Sequence, residues 1–134
     1  MLGAYSTAKH GLVGLSGSLR AELVPSKIKV VLIEPGAIAT PIWDRGTATG
    51  DELQSADPDA WGRYADQLGA LRQLAQRSAT SGLDPAVPAK IILAALQSDN
   101  PAPRQVVGRE AKLMAAMVRV LPFRAVYRIS RARR

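Results

Sequence analysis

The chain has 134 residues, 47% of them hydrophobic and 22% charged, with a formal net charge of +7. That length and apolar content suit one small globular domain and argue against disorder. The absence of cysteine excludes disulfides and thiolate metal sites, and no run approaches the ~20 apolar residues of a membrane-spanning helix. The basicity is local. From Arg104 onward there are nine basic residues and one acid, a net +8, which leaves −1 for residues 1–103. A nucleic-acid partner is therefore not expected of the body of the chain. Met1 opens no signal-peptide pattern, so the sequence reads as cytoplasmic.

The first predicted helix runs from Tyr5 to Leu23 or Val24 and stops before Pro25-Ser26. Leu12, Leu15, Leu19 and Leu23 form an apolar stripe, and Ala8, Gly11, Gly14, Ser18 and Ala21 a second stripe of small residues. Interior helical glycines cost about 1 kcal/mol each against alanine, so several together imply close approach of another backbone. The sheet beneath or a helix of a second copy could supply it.

Tyr5 and Lys9 lie four residues apart and so project from one helix face. An ammonium within reach of a phenol favours the phenolate, which would make Tyr5 a general acid/base with Lys9 as its electrostatic partner. Taken alone, the spacing fits equally well a Tyr and a Lys that decorate a helix surface. His10 reads as a polar neighbour on the helix. Ser6 has no base and orienting acid, and Asp44, Asp51 and Glu52 have no placeable partner, so neither a nucleophile nor a carboxylate dyad is expected. One histidine and no cysteine make a metal site improbable.

Residues 28–33 (Ile-Lys-Val-Val-Leu-Ile) read as a parallel strand covered on both faces. Pro35-Gly36 ends it, since proline cannot donate to the ladder and glycine permits the turn. The Pro35–Thr40 loop then lies at the carboxyl end of a strand, where doubly wound sheets bind ligands. Residues 41–82 read as the least regular part, with one amphipathic helix from Pro58-Asp59 through Trp61, Tyr64, Leu68, Leu71 and Leu74. Asp84-Pro85 starts a further helix that ends near Asp99-Asn100-Pro101. Residues 104–108 form a brief strand, and strand–helix–strand order predicts a right-handed parallel crossover. The basic tail, 109–134, carries Leu113, Met114, Met117, Val118, Val120 and Leu121, a break at Pro122, then Phe123, Val126, Tyr127 and Ile129. It reads as a terminal helix packed on its own domain with solvated arginines, and contact with an anionic membrane surface is the lesser alternative.

Two ordered features coincide: Tyr5-Ser6-Thr7-Ala8-Lys9 opening a small-residue helix, then Pro35-Gly36-Ala37-Ile38-Ala39-Thr40 after a buried strand. Together they resemble the C-terminal half of the short-chain dehydrogenases/reductases, whose pattern is Tyr-x-x-x-Lys (YxxxK) followed one strand later by Pro-Gly and a Thr. The resemblance covers nearly all of residues 1–134. It implies an α/β fold, the C-terminal portion of a doubly wound, Rossmann-type parallel sheet with flanking helices, and residues 41–82 as a lid over substrate. It implies hydride transfer between the nicotinamide of NAD or NADP and a small-molecule carbonyl or alcohol. Tyr5 would exchange the proton, and Lys9 would hold the nicotinamide ribose. The Ile38 backbone would meet the carboxamide, Thr40 would lie near that amide or the phosphates, and Pro35 and Gly36 would let the loop pass close to the cofactor. The family also implies a homo-oligomer through the first helix. Its Gly-rich pyrophosphate turn, its residue selecting NAD or NADP, and its substrate-polarising serine are not found in this sequence. The 134-residue chain is accordingly expected to be inactive by itself. The other reading is a non-catalytic dimerisation or interaction module with a basic tail.

Overall fold

A computed structural model describes residues 3–122, 124–126 and 128. The expectations for Phe123, Tyr127, Ile129 and the last three arginines lie outside the described residues. In chain order the elements are α1 (Gly3–Glu22), a 3-10 turn (Val24–Ser26), β1 (Leu32–Pro35), α2 (Ile42–Ala56), α3 (Pro58–Gly62), α4 (Ala65–Ser81), α5 (Ala86–Gln97), β2 (Arg104–Val107) and α6 (Arg109–Val120). This is an α/β arrangement with flanking helices, consistent with a portion of a Rossmann-type fold. The chain divides into two compact units. One holds the residues up to Pro35 together with Ala86–Val107, and the other holds Gly36–Pro85 and the residues from Gly108 on.

In the first unit β1 and β2 pair in parallel, with Leu32 opposite Arg104 and Pro35 opposite Val107. The strand begins four residues later than residues 28–33 predict. Pro101 and Pro103 precede β2 and have no N–H to give, so the ladder opens only where the Leu32 N–H donates to the Pro103 carbonyl at 3.0 Å. It closes on Pro35 itself, a terminal position where a missing donor is tolerated. Glu34 accepts from Arg104 diagonally across the ladder, Nη2 to Oε1 at 3.2 Å and Nε to Oε2 at 2.5 Å. That carboxylate holds the Arg104 guanidinium even more firmly in its charged form.

α1 contains no buried residue, a correction to both predicted stripes. Leu12 and Leu15 are half exposed, and a Cβ on Gly11 or Gly14 would meet nothing within 4 Å. Arg20 ties the helix to the strands. Its Nε donates to the Val30 carbonyl at 3.2 Å and its Nη2 to the Pro103 carbonyl at 2.7 Å. Hydrogen bonds to a charged donor are worth roughly 1.5–3 kcal/mol. Arg20→Ala is therefore expected to loosen α1 and lower its amide protection in hydrogen exchange, with β1–β2 protection changing less. Equal protection in both proteins would show that other contacts hold the helix.

The predicted two-sided cover of the sheet is not present either. Leu32, Ile33 and Glu34 are only half-buried, and a groove of about 480 Å³ stays open between Val31 and Ile33 on one side and Ile92 and Leu96 on the other. Among the described residues the buried hydrophobics are Leu68 and Val107, whereas Leu93 is 54% and Leu96 79% exposed. So much accessible apolar surface favours association. The purified 134-residue chain is expected to bind a hydrophobic dye and to elute above monomer mass. A compact monomer with a sharp cooperative melt would contradict this.

The second unit corrects the reading of residues 41–82 as irregular, because it is mostly helix. The Ser, Thr and Gly content conceals this, since such residues usually compete with a helix for its backbone. Here the hydroxyls fold back onto their own helix instead: Thr47 Oγ1 to the Asp44 carbonyl at 2.8 Å, Ser55 Oγ to Asp51 at 2.9 Å and Thr80 Oγ1 to Gln76 at 3.0 Å. The single helix expected from Pro58 is broken after Gly62, where the Tyr64 N–H bonds the Trp61 carbonyl and a new helix starts at Ala65. Arg72 joins α4 to α2 by donating to Asp51 and, at 2.8 Å, to Gln54 Oε1. Gly108, which leads into α6, has φ +101°, and a Cβ there would lie 3.0 Å from Leu83 Cδ1. Glycine meets both demands. No helix among the described residues is long and apolar enough to cross a membrane.

Candidate active site

α1 brings Tyr5 and Lys9 together on one face. The Lys9 ammonium lies 5.5 Å from the Tyr5 ring centroid, within cation–π range. Tyr5 is 61% exposed, and the contact engages its ring. His10 turns back onto the helix, its Nδ1–H donating to the Ser6 carbonyl at 2.9 Å. Among the described residues no cluster of three metal-ligating side chains occurs.

Pro35 closes β1 in the first unit, and Gly36, Ile38 and Thr40 belong to the second. The loop they start is held as though it were a strand. The Leu83 N–H donates to the Ala37 carbonyl at 2.8 Å and the Ala39 N–H to the Leu83 carbonyl at 3.0 Å, making an isolated parallel bridge between Ile38 and Leu83. In this pattern the peptide groups of Ile38 itself point away from Leu83. Its carbonyl is taken by the Trp43 indole, Nε1 to O at 2.7 Å. Its N–H has no acceptor among the described residues, so one backbone donor stands ready on this loop. Thr40 lies just before α2, where its carbonyl accepts from the Trp43 N–H at 3.4 Å.

Gly82 makes this geometry possible. A Cβ there would come within 2.3 Å of the Ser78 carbonyl oxygen, 2.6 Å of the Ala39 nitrogen and 2.8 Å of the Ile38 carbonyl carbon. Arg20, Trp43, Gly82 and Leu83 are the positioning residues that sequence reasoning missed. Only Gly82 left a legible signal, as a glycine at the end of a helical pattern just before Asp84-Pro85.

Comparison with known proteins bears directly on the stretch that carries these residues. Residues 1–50 match the model of the short chain dehydrogenase family. The chain is 30% identical over 129 residues to an NADPH-dependent 3-dehydrocapnine reductase of Ornithobacterium rhinotracheale, covering 96% of this chain and 44% of that protein. It is 29% identical over 121 residues to a probable short-chain type dehydrogenase/reductase of Helicobacter pylori, covering 90% and 42%. The chain belongs to the short-chain dehydrogenase/reductase family. A local match, 48% over 44 residues, is to a (-)-trans-carveol dehydrogenase of Rhodococcus erythropolis, covering 32% of this chain and 16% of that protein. This short-chain dehydrogenase/reductase sequence thus spans less than half the length of the Ornithobacterium rhinotracheale and Helicobacter pylori relatives. No solved structure matches it.

Proposed function

We propose that these residues serve an NAD(P)-dependent oxidoreductase that acts on a small carbonyl or alcohol substrate. The nicotinamide supplies or accepts the hydride when bound. Tyr5 gives a proton to the substrate oxygen in reduction and takes it back in oxidation. Lys9 hydrogen-bonds the nicotinamide ribose. The exposed Tyr5 with the Lys9 ammonium over its ring is the observation that carries this reading. The open Ile38 N–H fits the carboxamide oxygen of a nicotinamide, and Thr40 stands beside that amide or the phosphates. Pro35 and Gly36 keep the passing backbone slim. Residues 41–82 act as the lid over substrate. The sequence contains no Gly-rich turn for the pyrophosphate, so the 134-residue chain alone is expected to turn nothing over.

The test is hydride transfer by the native polypeptide that carries these residues, isolated from its source cells and sized by intact mass. NAD(P)H-dependent reduction of carbonyl compounds supports the reading. Absence of any nicotinamide binding by that polypeptide overturns it. A second copy is the partner proposed for α1, supported by its exposed Leu12 and Leu15 and by the open space over Gly11 and Gly14. Gly14→Leu is expected to lower the associated mass in sedimentation, and an unchanged mass would place the contact elsewhere.

A further inference from the structure

The sequence pattern of the tail predicts a helix packed on its own domain with solvated arginines, and α6 leaves one continuous arc of its surface exposed. Arg109, Leu113, Ala116 and Val120 recur at spacings of four, three and four, with Lys112 and Arg119 beside them. At about 100° per residue these six positions fall within an arc of roughly 120°. All six are exposed, Leu113 at 58% and Val120 at 79%. The half-buried positions of the helix, Ala111, Met114, Ala115 and Met117, all lie outside this arc. Val118 is exposed too, but it lies on the far side of the helix from the arc. The acid of the helix, Glu110, projects outside the arc, and none of Arg109, Lys112 and Arg119 pairs with a carboxylate among the described residues. Within the arc, Arg119 and Lys112 form one side and Ala116, Val120 and Leu113 the other, with Arg109 among the apolar positions at the start of the helix. Arg124 and Arg128 follow it, both exposed.

We infer that this arc of α6 docks on an anionic lipid surface. Charge complementarity selects the occupant. Each cation near such a surface is drawn to the acidic headgroups. The stems of lysine and arginine lie along apolar surface while their charges stay with the headgroups. Leu113, Ala116 and Val120 then enter the boundary between headgroup and acyl chain, as the apolar face of an interfacial helix does. A nucleic-acid backbone would engage the same cations but would leave Leu113 and Val120 in water, so it accounts for only half of the pattern. The inference is independent of the hydride-transfer reading.

The experiment is flotation of the 134-residue chain with vesicles of phosphatidylcholine alone or of phosphatidylcholine with phosphatidylserine, at low and high salt. Lipid-bound protein rises in the gradient, while self-associated protein stays below, so association of the chain does not mimic binding. Flotation is expected with the anionic vesicles only and is expected to weaken as salt screens the charges. The double variant Lys112→Gln/Arg119→Gln should lose about fivefold in binding per cation removed. Leu113→Gln/Val120→Gln keeps every charge and alters only exposed side chains, so it should fold as the parent does yet bind several-fold more weakly. No flotation with the anionic vesicles overturns the inference, as does equal flotation with neutral ones. Salt-dependent binding that the Leu113/Val120 variant leaves intact also overturns it, in favour of a polyanion such as single-stranded RNA.

Discussion

Tyr5→Phe is expected to lower hydride transfer by the native enzyme about 10²–10⁴-fold, the range over which a positioned acid/base acts, with nicotinamide dinucleotide affinity almost unchanged. The geometry makes this a clean substitution. Lys9 meets the Tyr5 ring, 5.5 Å from its centroid, and phenylalanine presents an aromatic face of the same size to that ammonium. Only the oxygen that would exchange the proton is lost. The loss should therefore fall on kcat, with dinucleotide Kd held, as for a group that acts in the transition state alone. Lys9→Met removes the charge beside the Tyr5 ring and the proposed ribose contact together, so both kcat and dinucleotide affinity should suffer. A Tyr5→Phe enzyme that turns over at the parent rate would show that the proton comes from another group and would remove Tyr5 from the reaction.

The sequence disclosed elements whose signals are local and hid those whose stability is tertiary. The run from Ile28 to Ile33 announces a strand, yet where the ladder begins was decided by prolines seventy residues away in the partner, Pro101 and Pro103. The Tyr5–Lys9 pair was legible because helix periodicity alone puts two residues four apart on one face. The loop after Pro35 was legible as a loop, but the features that shape it were not. The Trp43 indole on the Ile38 carbonyl and the Leu83 bridge join residues whose spacing carries no pattern. Residues 42–81 were misread for a different reason. Propensity penalises Ser, Thr and Gly in helices, while Thr47, Ser55 and Thr80 satisfy their hydroxyls within the helix and Arg72 fastens α4 to α2. The first helix shows the limit on the other side. Its two stripes are real in sequence, but a stripe says only that a face can be covered and not that this chain covers it.

Gly82→Ala is the sharpest structural test of the Ile38 loop. The added methyl would collide with three backbone atoms, the nearest at 2.3 Å, and no side-chain rotation can relieve such contacts. Gly82 has φ −66° and ψ 166°, an ordinary extended conformation, so alanine carries no torsional penalty and the whole effect is steric. Either the end of α4 moves from the loop, or the Ala39–Leu83 and Leu83–Ala37 hydrogen bonds stretch. Overpacking costs about 1–3 kcal/mol and each lost hydrogen bond about 1 kcal/mol more, so a loss of roughly 2–4 kcal/mol is expected in this unit. It should appear as faster hydrogen exchange at the Leu83 and Ala39 amides. Gly69, inside the helix that Gly82 ends, has no atom within 4 Å of where an alanine methyl would sit, and Gly69→Ala should gain up to about 1 kcal/mol from helix propensity. Opposite signs for the same substitution within α4 and at its end would establish that close backbone approach, rather than helix preference, fixes glycine at position 82. Exchange at Leu83 and Ala39 that Gly82→Ala leaves unchanged would mean that the loop is not held against α4 at all, and the Ile38 N–H would then lose the frame that orients it.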